Sequence, residues 1–434
     1  MGESKPETSS GDKVSLARAK PWTSLSYLRH REIQGMVGVT RNDSVISKYY
    51  KHLSLRKIWG PDDKTDSYDH GAIFNVEFSP TGDFLVAACE RHSLLVFDPL
   101  CQKQVTCVRR AHQDCVNCVR FLDSRSFVTC SDDTTVALWD CRNLKSKVLS
   151  LEGHTNWVKS IEYHRPSGLI VTSAFDDTVR TWDINRYAND GTAHGRVVLQ
   201  FSNLIRMKIC PDGQKMIISA IPGHLLVIHN LNLDYLQYDI EGDEYPFFGA
   251  MDSSLVSFAS HRWPSKARNA LEIIQDFPDE CCPWCISSIE VHPHGWCTVA
   301  RYTCRNSRNE WTVLHDIQDI SELTPGEAPS CFPRRLTHSI QEPNVAKGYI
   351  KEHCFSMDGR IICSPFGNSA RILSFNSQCD ELSSCIHGVP SELYDLKTLI
   401  THKHAVVTCR FSPKHLLLSL GCLGGRVSFF QPKL

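Results

Sequence analysis

Between residues 70 and 183 apolar and polar positions alternate with a period of two, broken at regular intervals by Ser, Pro, Gly and Asp. In the first unit Phe74, Val76 and Phe78 form a short alternating run, and Ser79-Pro80-Thr81-Gly82-Asp83 makes a turn. Phe84-Leu85-Val86-Ala87-Ala88 follows as a more continuous apolar run, then a polar tight turn and a third run ending at Val96-Phe97-Asp98. Such alternation, bounded by turn residues, predicts antiparallel strands. No long stretch inside the units keeps a helical period.

The unit repeats. His70 to Asp98, Ala111 to Asp140 and Gly153 to Asp183 align, and their aromatic anchors Phe78, Phe121 and Tyr163 are 43 and 42 residues apart. That period fits a four-stranded propeller blade. Weaker copies run through Arg206–Gly213, Ser288–Pro293, His353–Ser356 and Val407–Pro413, which brings the total to seven. Spacing in this second half is uneven, with 82 residues from Ile209 to Val291 and 64 from Val291 to Phe355. We therefore expect a propeller over 54–434 with insertions near 234–283 and 319–346. An eighth blade hidden in 234–283, where only Leu255–Phe258 looks like a strand, is the alternative. Closure of the ring matters because open sheet edges invite pairing. Leu53–Trp59 is the candidate strand, set to pair with the last blade.

Ahead of the ring the period changes. Pro21 and Ser24 suit a helix start, Leu25 and Leu28 share a face, and Gly35 is a stop. Asn42-Asp43-Ser44 offers an N-cap, and Ile46, Tyr49, Tyr50 and Leu53 follow at i, i+3, i+4 and i+7. Residues 21–53 thus read as a helix-loop-helix arm behind a disordered tail over 1–20. Helices this short must bury their apolar face, either on the propeller or in a partner's groove. The expected class is all-β: a seven-bladed propeller preceded by this arm.

Composition narrows the function. The 434 residues carry a net charge of −1, so no global field draws the chain to nucleic acid or to a membrane surface. Neither a secretory core nor a membrane-length apolar run is present, which points to an intracellular protein of the nucleus or cytoplasm. Twenty cysteines then read mostly as small buried apolar residues. One cluster stands apart: Cys281, Cys282 and Cys285 form CCxxC, with His292, His294, Cys297 and Cys304 nearby. Zinc binding or dithiol chemistry there is an alternative reading; the main expectation is no metal and no cofactor. No nucleophile elbow, phosphate loop or metalloprotease motif occurs, so a non-catalytic role and no catalytic residues are expected.

The second and third units resemble WD repeats. They close on Trp139-Asp140 and Trp182-Asp183, with Asp133 and Asp176 six residues before each tryptophan and Gly153-His154 opening the third unit. The resemblance implies two hydrogen-bonded structural networks, His112-Asp133-Trp139 and His154-Asp176-Trp182, with a Ser or Thr from the strand between. Phe127 to Arg142 is further similar to the sixteen-residue box, ending in WDxR, of the WD-repeat substrate receptors of cullin-4 ubiquitin ligases. YLRHREIQG (Tyr27–Gly35) and GHTNWVKSIEYH (Gly153–His164) narrow the resemblance to one branch of those receptors. It implies docking of Arg142, with Asp140, on the ligase adaptor, the large damaged-DNA-binding protein, and through it on cullin-4. The arm would insert Leu25, Leu28, Ile46, Tyr49 and Tyr50 into that adaptor, and an unidentified protein substrate would take another surface. The third unit departs from the box, because Asn185 stands where an Arg is expected and Arg186 comes one place late. A generic WD scaffold in another assembly is the alternative.

Overall fold

A sheet with two apolar faces has to be covered on both sides, and a ring of radially packed sheets achieves this by repetition. In the computed structural model, described for residues 46–61, 68–184, 195–241, 269–274, 276–304, 309–318, 334–386 and 388–433, seven such sheets surround one axis. Within each sheet four strands run antiparallel from the axis outward, and blade 5 gains a fifth, Ser391–Glu392, paired in parallel with its outer strand. Blade 1 is Ile73–Phe78, Leu85–Cys89, Leu94–Asp98 and Lys103–Val108; blade 2 is Val116–Phe121, Ser126–Ser131, Val136–Asp140 and Leu149–Leu151. Blade 3 comprises Val158–His164, Leu169–Ala174, Thr178–Trp182 and Arg196–Gln200, and blade 4 Leu204–Ile209, Lys215–Ala220, His224–His229 and Ala270–Ile274. Pro283–Val291, Cys297–Cys304, Asn309–Asp316 and Leu336–Pro343 make blade 5. Cys354–Phe355, Ile361–Phe366, Ser369–Ser374 and Tyr394–Ile400 make blade 6. The second strands are buried along their length, as in Leu85–Cys89, whereas the outer Lys103–Val108 is mostly exposed.

Blade 7 closes the ring from both ends of the sequence. Val406–Phe411, Leu418–Cys422 and Val427–Pro432 supply three strands, and Leu53–Trp59 is the fourth, with Leu53 opposite Pro432 and Trp59 opposite Val427. Trp59 is buried there, edge-on to Phe97 with ring centroids 5.0 Å apart. Leu53 is therefore the first residue of a strand rather than the last apolar turn of a helix.

The described residues of the two expected insertions include regular elements. Residues 234–283 supply a short helix, Leu236–Glu241, and then the outer strand of blade 4. Residues 319–346 end in the outer strand of blade 5, Leu336–Pro343. Both excursions leave a blade between its third and fourth strands. Leu255–Phe258 lies outside the described residues, among which there are seven blades.

A closed circuit of charge fills the axis. Glu77, Arg120, Glu162, Lys208, Glu290 and Arg410 occupy equivalent places on inner strands, each one residue before an apolar anchor. Each acid bridges two bases: Glu77 to Arg410 at 2.7 Å and Arg120 at 3.5 Å, and Glu162 to Arg120 at 2.9 Å and Lys208 at 3.3 Å. Glu290 meets Lys208 at 3.1 Å and Arg410 at 3.2 Å. Burial pushes the Glu290 carboxyl up, but Lys208, Arg410 and Arg120 outweigh it and bring it down to about 2. Signs that alternate around the circuit leave no charge unpaired, which such burial requires.

Candidate docking site

The WD networks form as the resemblance implies. In blade 2 the Trp139 Nε1–H donates to Thr129 Oγ1 at 2.9 Å, Thr129 Oγ1 lies 2.7 Å from His112 Nε2, and His112 Nδ1 lies 3.0 Å from Asp133 Oδ2. Blade 3 repeats this with Trp182 to Thr172 at 2.8 Å, Thr172 to His154 at 2.7 Å and His154 to Asp176 at 2.8 Å. With the imidazole neutral, one arrangement satisfies every partner: tryptophan donates to threonine, threonine to Nε2, and Nδ1–H to the carboxylate. Thr129 and Thr172, the centres of the two chains, were expected only as a residue type. Burial raises Asp133 and Asp176, yet the His, backbone N–H and Thr donors around them prevail and hold both well below the usual carboxylate range. All these groups are inside the blades, so they brace the turns and offer nothing to a substrate.

Arg142 is different. The third strand of blade 2 ends at Asp140, and the chain turns so that the Arg142 N–H donates to Asp140 Oδ1 at 2.9 Å. The guanidinium folds back on the same carboxylate, with Nε 3.0 Å from Oδ1 and Nη2 2.5 Å from Oδ2. These bonds from Arg142 lower the Asp140 carboxyl to about 2. Arg142 is nevertheless 65% exposed in its side chain. The clamp engages Nε and Nη2, which leaves Nη1 for an acceptor from outside.

Strand alternation fixes which other groups share this end of the ring. Turns joining first to second and third to fourth strands emerge together, and the remaining turns and blade links emerge opposite. Arg142 follows a third strand, and Leu53 pairs with the end of another, so the chain enters the ring at the Arg142 end. Residues 46–51 are helical just before that entry. Leu100 and Tyr238 after third strands, with Met357 and Leu416 between first and second strands, add exposed apolar side chains at the same end. The alternating pattern gave no hint of these four, because single apolar residues in turns carry no period.

The arm divides. Tyr50 is buried, its hydroxyl donating to Asp358 Oδ1 at 2.7 Å and its ring edge-on to Phe411, and Ile46 packs on the same core of blades 6 and 7. Burial and the Asp358 charge push the Tyr50 phenol far above its ordinary range. These two side chains pack the start of the described arm against the propeller. Lys397 Nζ donates to the carbonyls of Lys51 and Leu53 and secures the same joint. Tyr49 is half-buried. Leu25, Leu28, Asn185 and Arg186 lie outside the described residues.

The CCxxC stretch does not converge on a metal. Cys281 is buried with its Sγ 3.3 Å from that of Cys304, but Cys282 is exposed and Cys285 half-buried. Among the described residues no three ligand atoms of Cys281, Cys282, Cys285, His292, His294, Cys297 and Cys304 come together.

Ring, networks and closure define a seven-bladed WD-repeat β-propeller, and the WD domain, G-beta repeat family matches residues 103–140 and 145–183. The chain is 43% identical over 396 residues to DDB1- and CUL4-associated factor 10 of Xenopus laevis, covering 84% of this chain and 85% of that protein. The Danio rerio protein of that name is 42% identical over 381 residues (84% and 75% covered), and the Homo sapiens one 42% over 397 residues (84% and 70%). The chain belongs to the DDB1- and CUL4-associated factor 10 family. None of these three relatives is named as an enzyme, and no described helix is long and apolar enough to cross a membrane.

Proposed function

We propose that this protein is the substrate receptor of a cullin-4 RING ubiquitin ligase, working in the nucleus or cytoplasm. The end of the ring that carries Arg142 docks on the adaptor DDB1, and another surface holds a protein substrate. The observation that carries this reading is the pre-set Arg142: an exposed guanidinium already fixed by Asp140, at the same end of the ring as the point where the arm joins. Fixing the side chain in advance reduces the entropy lost on docking, and its open edge suits a charge-assisted bond to an acceptor on the adaptor. Exposed Leu100 and Leu416 supply apolar area at the same end of the ring. The names of the relatives agree, since each is called an associated factor of DDB1 and CUL4. Ubiquitin transfer then gains from proximity, because a held substrate meets the charged transfer enzyme as a local rather than a bimolecular encounter. No residue of this chain has to act chemically.

The test is capture of purified DDB1 by the full chain. Arg142→Ala is expected to weaken it at least tenfold, corresponding to about 1.4 kcal/mol, and deletion of residues 1–45 to weaken it further. The deletion stops there because Tyr50 and Leu53 belong to the propeller. Undiminished capture by both variants, with the ring intact by circular dichroism, would mean a WD scaffold of another assembly.

A further inference from the structure

Six blades place a charged side chain just before the inner-strand anchor, and blade 6 places Cys354 there. The inner strand of that blade is only two residues, Cys354–Phe355, and Arg410 reaches past it to Glu290. Blade 6 is thus the one member of the ring that the axial circuit does not tie to its neighbours. In its place three thiols meet. Cys354 faces Cys363 across the ladder of blade 6, and Cys409 comes from the inner strand of blade 7, directly before Arg410. Their Sγ atoms all lie within 4.8 Å of one another, and all three residues are fully buried. Intervals of 9 and 46 residues form no motif, so the sequence conceals the group.

We propose that Cys354, Cys363 and Cys409 bind one thiophilic closed-shell metal ion, zinc(II) or copper(I), which ties blade 6 to blade 7. Three sulfur donors select such ions over hard cations. The surrounding side chains are apolar, Ile361, Ile372, Val406 and Leu420 among them, so a strongly hydrated ion gains nothing there. The Glu352 carbonyl oxygen, 3.1 Å from Cys409 Sγ, stands beside the group as a fourth donor. Loading exchanges three S–H protons for the ion, and those protons leave to solvent. With zinc the site keeps one negative charge.

The full chain, produced in medium supplemented with zinc or with copper and purified without chelator, is analysed for metal by mass spectrometry. About one equivalent per chain is expected, and which element is retained distinguishes the two ions. Cys363→Ala and Cys409→Ala should lose it, whereas Cys118→Ala and Cys282→Ala should keep it. Because alanine in the core can loosen the fold, a second measurement uses the wild type alone. Metal-stripped chain should take up one cobalt(II) or one copper(I), read from sulfur-to-metal absorption. The proposal is overturned if neither supplemented protein nor titrated chain holds stoichiometric metal. It fails equally if the metal survives in folded Cys363→Ala and Cys409→Ala, or is lost with Cys282→Ala.

Discussion

Asp140 and Arg142, two residues apart, form a closed bidentate pair in which the carboxylate receives Nε and Nη2 at 3.0 and 2.5 Å and the Arg142 backbone N–H at 2.9 Å. Asp140 therefore acts as a positioning residue for the guanidinium. Asp140→Ala should leave the charge of Arg142 in place and yet weaken DDB1 capture about three- to tenfold, through the side-chain freedom lost on docking. Since the pair lowers the Asp140 carboxyl to about 2, it stays ionised throughout ordinary buffers. Affinity of the wild type measured by surface plasmon resonance should not change through titration of Asp140 between pH 5 and 8.

The WD networks link blade stability to acid. Asp133 and Asp176 have folded-state pKa values below those of the unfolded chain, where an Asp titrates near ~3.9. Their stabilisation is complete above that value and is lost as pH falls toward the folded pKa. Thermal melts taken from pH 7 down to pH 3 should show the wild type losing stability below about pH 4. Asp133→Asn, less stable at pH 7, should lose correspondingly less on acidification. A variant with the same acid slope as the wild type would remove Asp133 from this role.

Closure and docking are separable in sequence. Trp59 is buried between the first and last blades, so Trp59→Ala should cost about 3–5 kcal/mol in denaturant unfolding. Removal of residues 1–45 leaves Tyr50, Leu53 and the whole closing strand, and should shift the melting temperature little. Removal through residue 59 should open the ring and expose a pairing edge, seen as aggregation in light scattering.

The axial circuit predicts strong coupling. Arg410→Met takes one of two bases from each of Glu77 and Glu290 and should destabilise by about 3–5 kcal/mol, as expected when one partner of a buried ion pair is removed. Adding Glu290→Gln to that variant should cost less than the two separate effects summed, in a double-mutant cycle read by urea unfolding.

Blades 1 to 3 were legible because their runs keep both period and anchors, and the closing strand because Leu53–Trp59 reads as a strand just ahead of the first blade. The outer strands Ala270–Ile274 and Leu336–Pro343 were not, since polar excursions separate them from the blades they complete. The stripe of Ile46, Tyr49 and Tyr50 foretold a helix but not its partner: an amphipathic face reads alike whether a propeller or another protein covers it. Glu77, Arg120, Glu162, Lys208, Glu290 and Arg410 were visible as single residues before their anchors. Their alternation of sign acquires meaning only when the blades are set side by side. Cys354, Cys363 and Cys409 meet across two blades, a proximity that no local spacing encodes.

The pairing of Leu53–Trp59 with Val427–Pro432 also sets an order of events in the life of the molecule. Leu53–Trp59 has no neighbour to zip onto until Val427–Pro432 has left the ribosome. Until then the arm hangs from an unfinished ring, and its bearing relative to Arg142 is undefined. A ligase that grips both at once would recruit only chains made through Val427–Pro432, so the fold would act as its own inspection before the receptor enters service.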